Sequence, residues 1–330
     1  MRNDVRSHLD RRAALRLLSA LSGLLAASTK ISGVALAETS PNASGTSPFA
    51  VEIAPRVYAH KGHVALYAPA NEGDISNAGF VVGRDAVAVI DTGGSARVGA
   101  HLHQAIRQVT QLPIRYVINT HMHPDHVFGN SAFEADQPAF VGHHKLARGL
   151  SARAERYLAI NGELLGADVF AGTKIVLPTL AISDVTKLDL GGREIIIEPQ
   201  KTAHTDNDLI VRDSETGTVF LGDLLFSEHI PTLDGSILGW MSVLDTLAQA
   251  PAQRVVPGHG PPSMPWPDAA KPIRHYLQVV TDEIRAMIKA DHTLSDATKT
   301  VGFSERDAWQ LFEDYHVRNV SAAFAELEWE

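Results

Sequence analysis

The chain has 330 residues, of which 45% are hydrophobic, a net charge of -9 and no cysteine. That length and apolar content allow one large or two small domains with a sizeable core, and the negative balance argues against nucleic acid as a main partner. The lack of cysteine excludes disulfides, iron–sulfur clusters, thiolate nucleophiles and cysteine metal ligands, and it suits an oxidising compartment, where a free thiol is a liability.

The first stretch reads as a sorting segment. Asp10-Arg11-Arg12-Ala13-Ala14-Leu15-Arg16 resembles a twin-arginine export motif in which Ala14 stands where an aromatic is usual. A mild apolar run from Leu17 to Ala27 follows, then Ala35-Leu36-Ala37 in the small-x-small cleavage pattern. The run is too short and too rich in small residues to span a bilayer. A signal peptide over 1–37 is therefore expected, with a periplasmic mature protein. Residues 38–48, rich in Ser, Thr, Pro and Gly, read as a disordered linker.

The mature chain, 49–330, alternates strands and helices. Gly79–Gly83 and Ala86–Asp91 predict a hairpin of buried strands. Asp91-Thr92-Gly93-Gly94 is a turn, and Ser95 is placed to cap a helix. On that helix Val98, Leu102, Ile106 and Val109 recur at helical spacing up to Pro113. His101 and His103 are two apart on it, so they face different ways and read as surface residues. Tyr116–Asn119 is a strand running into His121-Met122-His123-Pro124-Asp125-His126, which places four metal-binding side chains in six residues. Ala139–Gly142 is a short strand, and Ser151–Ala171 reads as a helix whose Tyr157, Leu158, Ile160, Leu164 and Leu165 form either a packed face or a lid. Strands return at Glu194–Glu198, Leu209–Arg212, Thr218–Leu221 and Arg254–Val256, and from about Pro267 the pattern is helical. Two sheets packed face to face with helices outside satisfy this order.

Three of these later strands are each followed by a further donor: His204 after Glu194–Glu198, Asp223 after Thr218–Leu221 and His259 after Arg254–Val256. Each is expected on a loop at a strand end, where a sheet edge gives a rigid base for convergent loops. Zinc favours imidazole and carboxylate donors and keeps an open position when catalytic. His143 and His144 follow a strand and read as loop histidines, one of which is a candidate for the pocket wall. His60 and His63 read as surface-loop residues, with substrate contact as the alternative.

The ordered set His121/His123/Asp125/His126, His204, Asp223 and His259 resembles the metallo-β-lactamase superfamily. The resemblance implies an α+β fold of the αββα four-layer sandwich type with a C-terminal helical extension and a two-metal site at one sheet edge. It further implies that His121, His123 and His204 bind a first metal, that Asp125, His126 and His259 bind a second, and that Asp223 bridges them. That arrangement is similar to glyoxalase II and the all-histidine lactamases. Val89–Gly94, Val117–His121, Ala203–Asp208 and the ending Ala325–Glu330 look closer still to the quinoprotein relay system zinc metallohydrolases. These are exported proteins that accompany quinoprotein dehydrogenases, which makes a periplasmic dehydrogenase of that kind the expected partner.

The resemblance implies two Zn2+ ions, with iron as the alternative. Two metals about 3.5–4 Å apart would share a water and lower its pKa to about 7. Asp125 and Asp223 are the carboxylates expected to hold and orient that nucleophile as catalytic residues. Asp91 is either a carboxylate behind a histidine ligand or a turn residue. No G-x-G-x-x-G opens a helix, and neither a phosphate-binding G-x-x-x-x-G-K-[ST] nor a G-x-S-x-G is present. Three functions fit: a dizinc hydrolase of a small carbonyl compound (lactone, thioester, ester or β-lactam), an iron-dependent redox enzyme of the same fold, or a non-catalytic accessory protein for quinone cofactor.

Overall fold

The computed structural model describes residues 49–330. The expected signal peptide and linker lie outside the described residues.

Twelve strands form two sheets among the described residues. The first sheet takes β1 (Val51–Ala54), β2 (Val57–His60), β3 (Ala78–Val82), β4 (Val87–Ile90), β5 (Ile114–Ile118), β6 (Ala139–His143) and β7 (Leu180–Ile182) in that spatial order. It is antiparallel from β1 to β4 and parallel from β4 to β7. The second takes β8 (Thr186–Asp189), β9 (Glu194–Pro199), β10 (Leu209–Asp213), β11 (Thr218–Phe226) and β12 (Arg254–His259), antiparallel except for the parallel pair β11–β12. The helices are α1 (Ala96–Val109), α2 (Pro124–Val127), α3 (Leu146–Leu165), α4 (Ala167–Phe170), α5 (Ile237–Leu247), α6 (Ala270–Lys289), α7 (Leu294–Ala297) and α8 (Phe312–Leu327).

Side-chain alternation along the strands sorts the core into layers. In β4, Ala88 and Ile90 face the second sheet, where Ile195, Ile197, Val211 and Phe220 meet them. Val87 and Val89 face the other way, onto Leu102 and Ile106 of α1. In β11, Phe220 points between the sheets, while Val219 and Leu221 pack under Trp240 and Leu244 of α5, in the same layer as Ile273 and Leu277 of α6 and Val320 of α8. The result is the αββα sandwich, with the C-terminal helices covering the second sheet.

Three expectations are corrected. The helix expected at Ser151–Ala171 begins at Leu146 and is broken at Gly166, whose φ of +79° favours glycine. Leu146 and Leu150 tuck under Met122 and Phe128, so packing extends the helix upstream of its polar stretch. The strand read as Thr218–Leu221 continues to Phe226. Asp223 therefore lies inside a strand, and His259 is the last residue of β12, rather than both lying on loops beyond. The cause is local: Gly222 takes φ +50° and the β11–β12 register shifts there, so the strand kinks and resumes pairing at Phe226–His259. His60, expected on a surface loop, ends β2 and is buried, with Nε2 2.7 Å from Asp74 Oδ1, whereas His63 is exposed.

At the far end of the sandwich from the histidine cluster, Arg193 and Asp213 form a buried bidentate pair, with Nε–Oδ1 2.8 Å and Nη2–Oδ2 2.7 Å. Arg193 also donates to Val82 O and Pro55 O, so the pair ties the second sheet to the first. Burial opposes ionisation of Asp213, but bonds from Arg193 and Thr216 outweigh it and lower its pKa. Asp213→Ala leaves a buried guanidinium without its partner and should cost about 3–5 kcal/mol in chemical denaturation at neutral pH. Because the folded carboxyl titrates below its unfolded value, that stability is present above the ordinary aspartate range and is lost as pH falls through the folded value. A loss within 1 kcal/mol at neutral pH, on the order of a surface pair, would refute this role for the pair.

Candidate metal centre

The cluster sits where the C-terminal ends of β4, β5 and β12 meet β11. After β5 the chain bends through Thr120, His121 and Met122, His123 is extended, and Pro124, with its fixed φ, starts the single turn of α2. Asp125 and His126 occupy that turn. Their backbone is held by bonds from Thr92 N (3.0 Å) and Asn119 Nδ2 (3.3 Å) to His126 O. Leu209 N donates to Thr120 O at 2.7 Å, and Asn77 bonds to Gly258 O and Pro257 O, joining the ends of the two sheets around the site.

Every histidine of the cluster uses one ring nitrogen to bind the protein and turns the other inward. His121 Nδ1 contacts Thr120 Oγ1 at 3.1 Å, and that hydroxyl donates to Asp91 Oδ2. His126 Nδ1 lies 2.9 Å from the same Asp91 oxygen. His123 Nε2 is 3.0 Å from Asp234 Oδ2, His204 Nδ1 donates to Thr232 O at 2.7 Å, and His259 Nδ1 donates to Ile75 O at 2.8 Å. The two open readings of Asp91 are both met. It takes φ +55° in the turn after β4, and its carboxylate also receives Thr120 N at 2.8 Å and orients His126.

The inward atoms fall into two sets, His121/His123/His204/Asp223 and Asp125/His126/His259, each with its donor atoms within 4.8 Å of one another. Asp223 stands between the sets. Its Oδ2 is 3.3 Å from His204 Nε2 and 3.6 Å from His121 Nε2, while its Oδ1 is 3.0 Å from His126 Nε2 and 3.4 Å from His259 Nε2. Asp125 Oδ2 is 3.3 Å from His259 Nε2. A Cβ on Gly258 would come 1.9 Å from Asp223 Oδ1, so only glycine lets β12 run this close to the carboxylate.

Fit to a metal can be judged from atoms that have no other use. His121 Nε2, His126 Nε2 and Asp223 Oδ1 are buried and have no hydrogen-bond partner, which is costly unless something else satisfies them. A cation among inward imidazole nitrogens and carboxylate oxygens satisfies all three, and the outward bonds fix the tautomers it needs. Charge agrees. Burial, with charge on neighbouring histidines, holds His121 well below the usual imidazole range and His204 down at about 3. Burial also works against charge on His259, but Asp223 and Asp125 outweigh it and push that ring up to about 9. Burial opposes ionisation of Asp125 and Asp223, yet His126 and His259 keep both carboxyls well below their usual range. The cluster therefore carries two ionised carboxylates and histidines that cannot all be protonated together, a donor set suited to divalent metal.

All seven residues singled out in the sequence are brought together here, and His143, His144, His60 and His63 are not among the residues lining the cavity. His101 lies near Glu72 and His103 near Asp136, on different sides of α1. A cavity of about 180 Å3 opens above the cluster. Its wall includes residues that sequence reasoning did not single out for the site: Tyr67, Phe226, His229, Tyr315 and Arg318. Phe226 stacks on His259 with ring centroids 4.7 Å apart, and the buried Tyr67 hydroxyl has no protein partner. The predicted α3 stripe splits between its two readings: Tyr157 lines the cavity, Leu158 packs inward, and Ile160 and Leu164 are exposed.

Comparison with known proteins gives one family match, to the model described as the metallo-beta-lactamase superfamily, over residues 71–259. No curated protein matches. Many solved structures do. A metallo-beta-lactamase from Pontibacter korlensis is 20% identical at a TM-score of 0.56, covering 69% of this chain and 98% of that one. A metallo-beta-lactamase from Hirschia baltica is 18% identical at 0.54, covering 69% and 96%. The metallo-beta-lactamase FIM-1 from Pseudomonas aeruginosa, in a mono-zinc form, is 20% identical at 0.53, covering 69% and 94%. At these identities the likeness is one of fold.

Proposed function

Because this chain belongs to the metallo-β-lactamase superfamily, whose model matches more than half of it, we propose that it is a metal-dependent hydrolase whose centre holds two zinc ions. The observation that carries the count is Asp223, whose two oxygens face two different histidine sets. His121, His123 and His204 would hold one ion, Asp125, His126 and His259 the other, with Asp223 shared. Bound there, the metals would supply Lewis acidity, polarising a carbonyl and lowering the pKa of a water toward about 7.

The protein's own groups do the rest. Asp125 lines the cavity as an ionised carboxylate and is placed to accept a hydrogen bond from the attacking water. Asp91, Asp234, Thr232 and Ile75 hold the imidazoles in one tautomer, so the cluster need not reorganise during turnover. Tyr67 offers a buried hydroxyl to a substrate oxygen, and Tyr157 and Tyr315 narrow the cavity around a small acyl compound. The proposed substrate is a lactone, thioester, ester or β-lactam. Export to the periplasm rests on the Arg11-Arg12 motif and Ala35-Leu36-Ala37, and association with a quinoprotein dehydrogenase rests on the sequence resemblance given above.

The test is a panel of those four substrate classes with zinc-loaded protein, paired with Asp125→Ala. The variant should keep the wild-type circular dichroism and lose at least about 100-fold in kcat. Unchanged turnover on the best substrate would rule out the role given to Asp125, and no turnover by the loaded wild type on any class would rule out the substrate assignment.

A further inference from the structure

Helix α8 reaches the histidine cluster without contributing a donor to it. It lies beyond residue 259, where the family match ends. Its target is the segment from Glu228 to Ser236, which has no helix or strand of its own. That segment supplies the outward partners of two histidines, Thr232 O for His204 and Asp234 for His123.

Asn319 of α8 grips the peptide groups on both sides of Thr232. Its Oδ1 accepts from Leu233 N at 2.9 Å, and its Nδ2 donates to Pro231 O at 2.6 Å. A main-chain N–H must meet the oxygen and a carbonyl must meet the nitrogen, so only one orientation of the amide satisfies both. The amide is itself held. Nδ2 is 3.1 Å from Tyr276 OH, that hydroxyl is 3.0 Å from His316 Nδ1, and His316 Nε2 donates to Val301 O at 2.7 Å. Asn319 and His316 are 2% and 1% exposed, so water does not compete for these bonds.

The same helix acts on either side of this point. Arg318 Nη2 lies 3.7 Å from Asp234 Oδ1, and the other oxygen of that carboxylate binds His123. Burial opposes ionisation of Asp234, but His123, Arg153 and Arg318 lower its pKa to about 2. Two turns on, Glu326 accepts from Ser236 Oγ at 2.6 Å and Ile237 N at 2.7 Å, closing the end of the segment. Asn319 and Glu326 are seven residues apart, and so lie on one face of the helix.

The second set, like His121 of the first, is held from the first sheet. His126 leans on Asp91 and His259 on Ile75 O, both carried by the first sheet and its loops. No outward bond of that set reaches α8 among the described residues.

We propose that α8 is a positioning element for the His121/His123/His204 set alone, with Asn319 as its main positioning residue. This rests on the metal-holding role given to that set. Asn319 fixes the carbonyl that fixes the His204 ring. When such outer partners are lost, metal affinity falls by about 10–100-fold.

The test measures zinc affinity of full-length, metal-free protein by competition with a chromophoric chelator. Two backgrounds isolate the sets: His259→Ala leaves the first set complete, and His204→Ala leaves the second. Asn319→Ala should weaken zinc about 10–100-fold in the first background and less than about 2-fold in the second. Equal weakening in both, or none in either with circular dichroism unchanged, would overturn the proposal. If the alanine variant does not fold, Asn319→Asp takes its place under the same criteria. It keeps the acceptor for Leu233 N but turns the donor facing Pro231 O into a repelling oxygen. Wild-type protein that binds no zinc would overturn the metal reading as well, and that failure is visible before any Asn319 variant is made.

Discussion

Replacing Asp223 by alanine should remove the donor proposed to be shared by two metals and abolish measurable hydrolysis, while the sandwich stays folded. The neighbours of Asp223 along β11 pack independently of it: Leu221, Leu224 and Leu225 are buried in the layer beneath α5 and α6. Its carboxylate, by contrast, lies within 3.6 Å of ring nitrogens from both sets. Loss of an outer partner of a ligand costs about 10–100-fold in affinity or activity, so loss of a carboxylate that touches both sets should exceed 100-fold in kcat/KM. Asp223→Asn sharpens the expectation. An amide keeps one oxygen and presents an NH2 group to the other set, so one zinc should be retained and one lost on metal analysis. Two zinc ions retained in the alanine variant would remove Asp223 from its bridging place.

Stripping the proposed metals should also lower stability. In metal-free protein the cluster confines five imidazoles and two ionised carboxylates, with three of their inward atoms lacking hydrogen bonds. Each ion that binds only the folded state adds about 4 kcal/mol when its free concentration is 1,000 times its dissociation constant. Dialysis against a chelator should therefore lower Tm by many degrees and remove all turnover, and added zinc should restore both. A Tm that does not move while metal analysis shows complete loss would mean that the pocket is not a metal site coupled to folding.

The site was legible in the sequence to the extent that it is local. His121-Met122-His123-Pro124-Asp125-His126 packs four donors into one strand end and one turn, and short-range geometry nearly determines where they point. His204, Asp223 and His259 were legible from their places after apolar runs. The rest of the site is what tertiary contact alone supplies. Thr232 and Ile75 act through main-chain oxygens, which any residue carries. Tyr67 sits on a long connection between β2 and β3 that has no periodicity to mark a facing. β1 and β2 are too short to show alternation, and β1 is largely exposed at the sheet edge, so no pattern marks either as a strand. The kink at Gly222, which draws Asp223 into a strand, depends on how β12 lies against it. Asn319 did leave a trace. It is a polar amide flanked on α8 by the buried Val320, Ala323 and Phe324, and a polar residue on an apolar stripe asks for a partner.

Gly258 has a consequence for how this protein can drift over generations. It carries no donor and no charge, so a comparison scored on ligands alone would treat its position as free. Yet the first carbon of any side chain there would fall 1.9 Å from Asp223 Oδ1, displacing the carboxylate or the strand. A lineage could keep all seven donors unaltered and still lose the centre through one methyl group. Descendants that carry alanine or anything larger at that position are better read as chains that retained the architecture and gave up the chemistry.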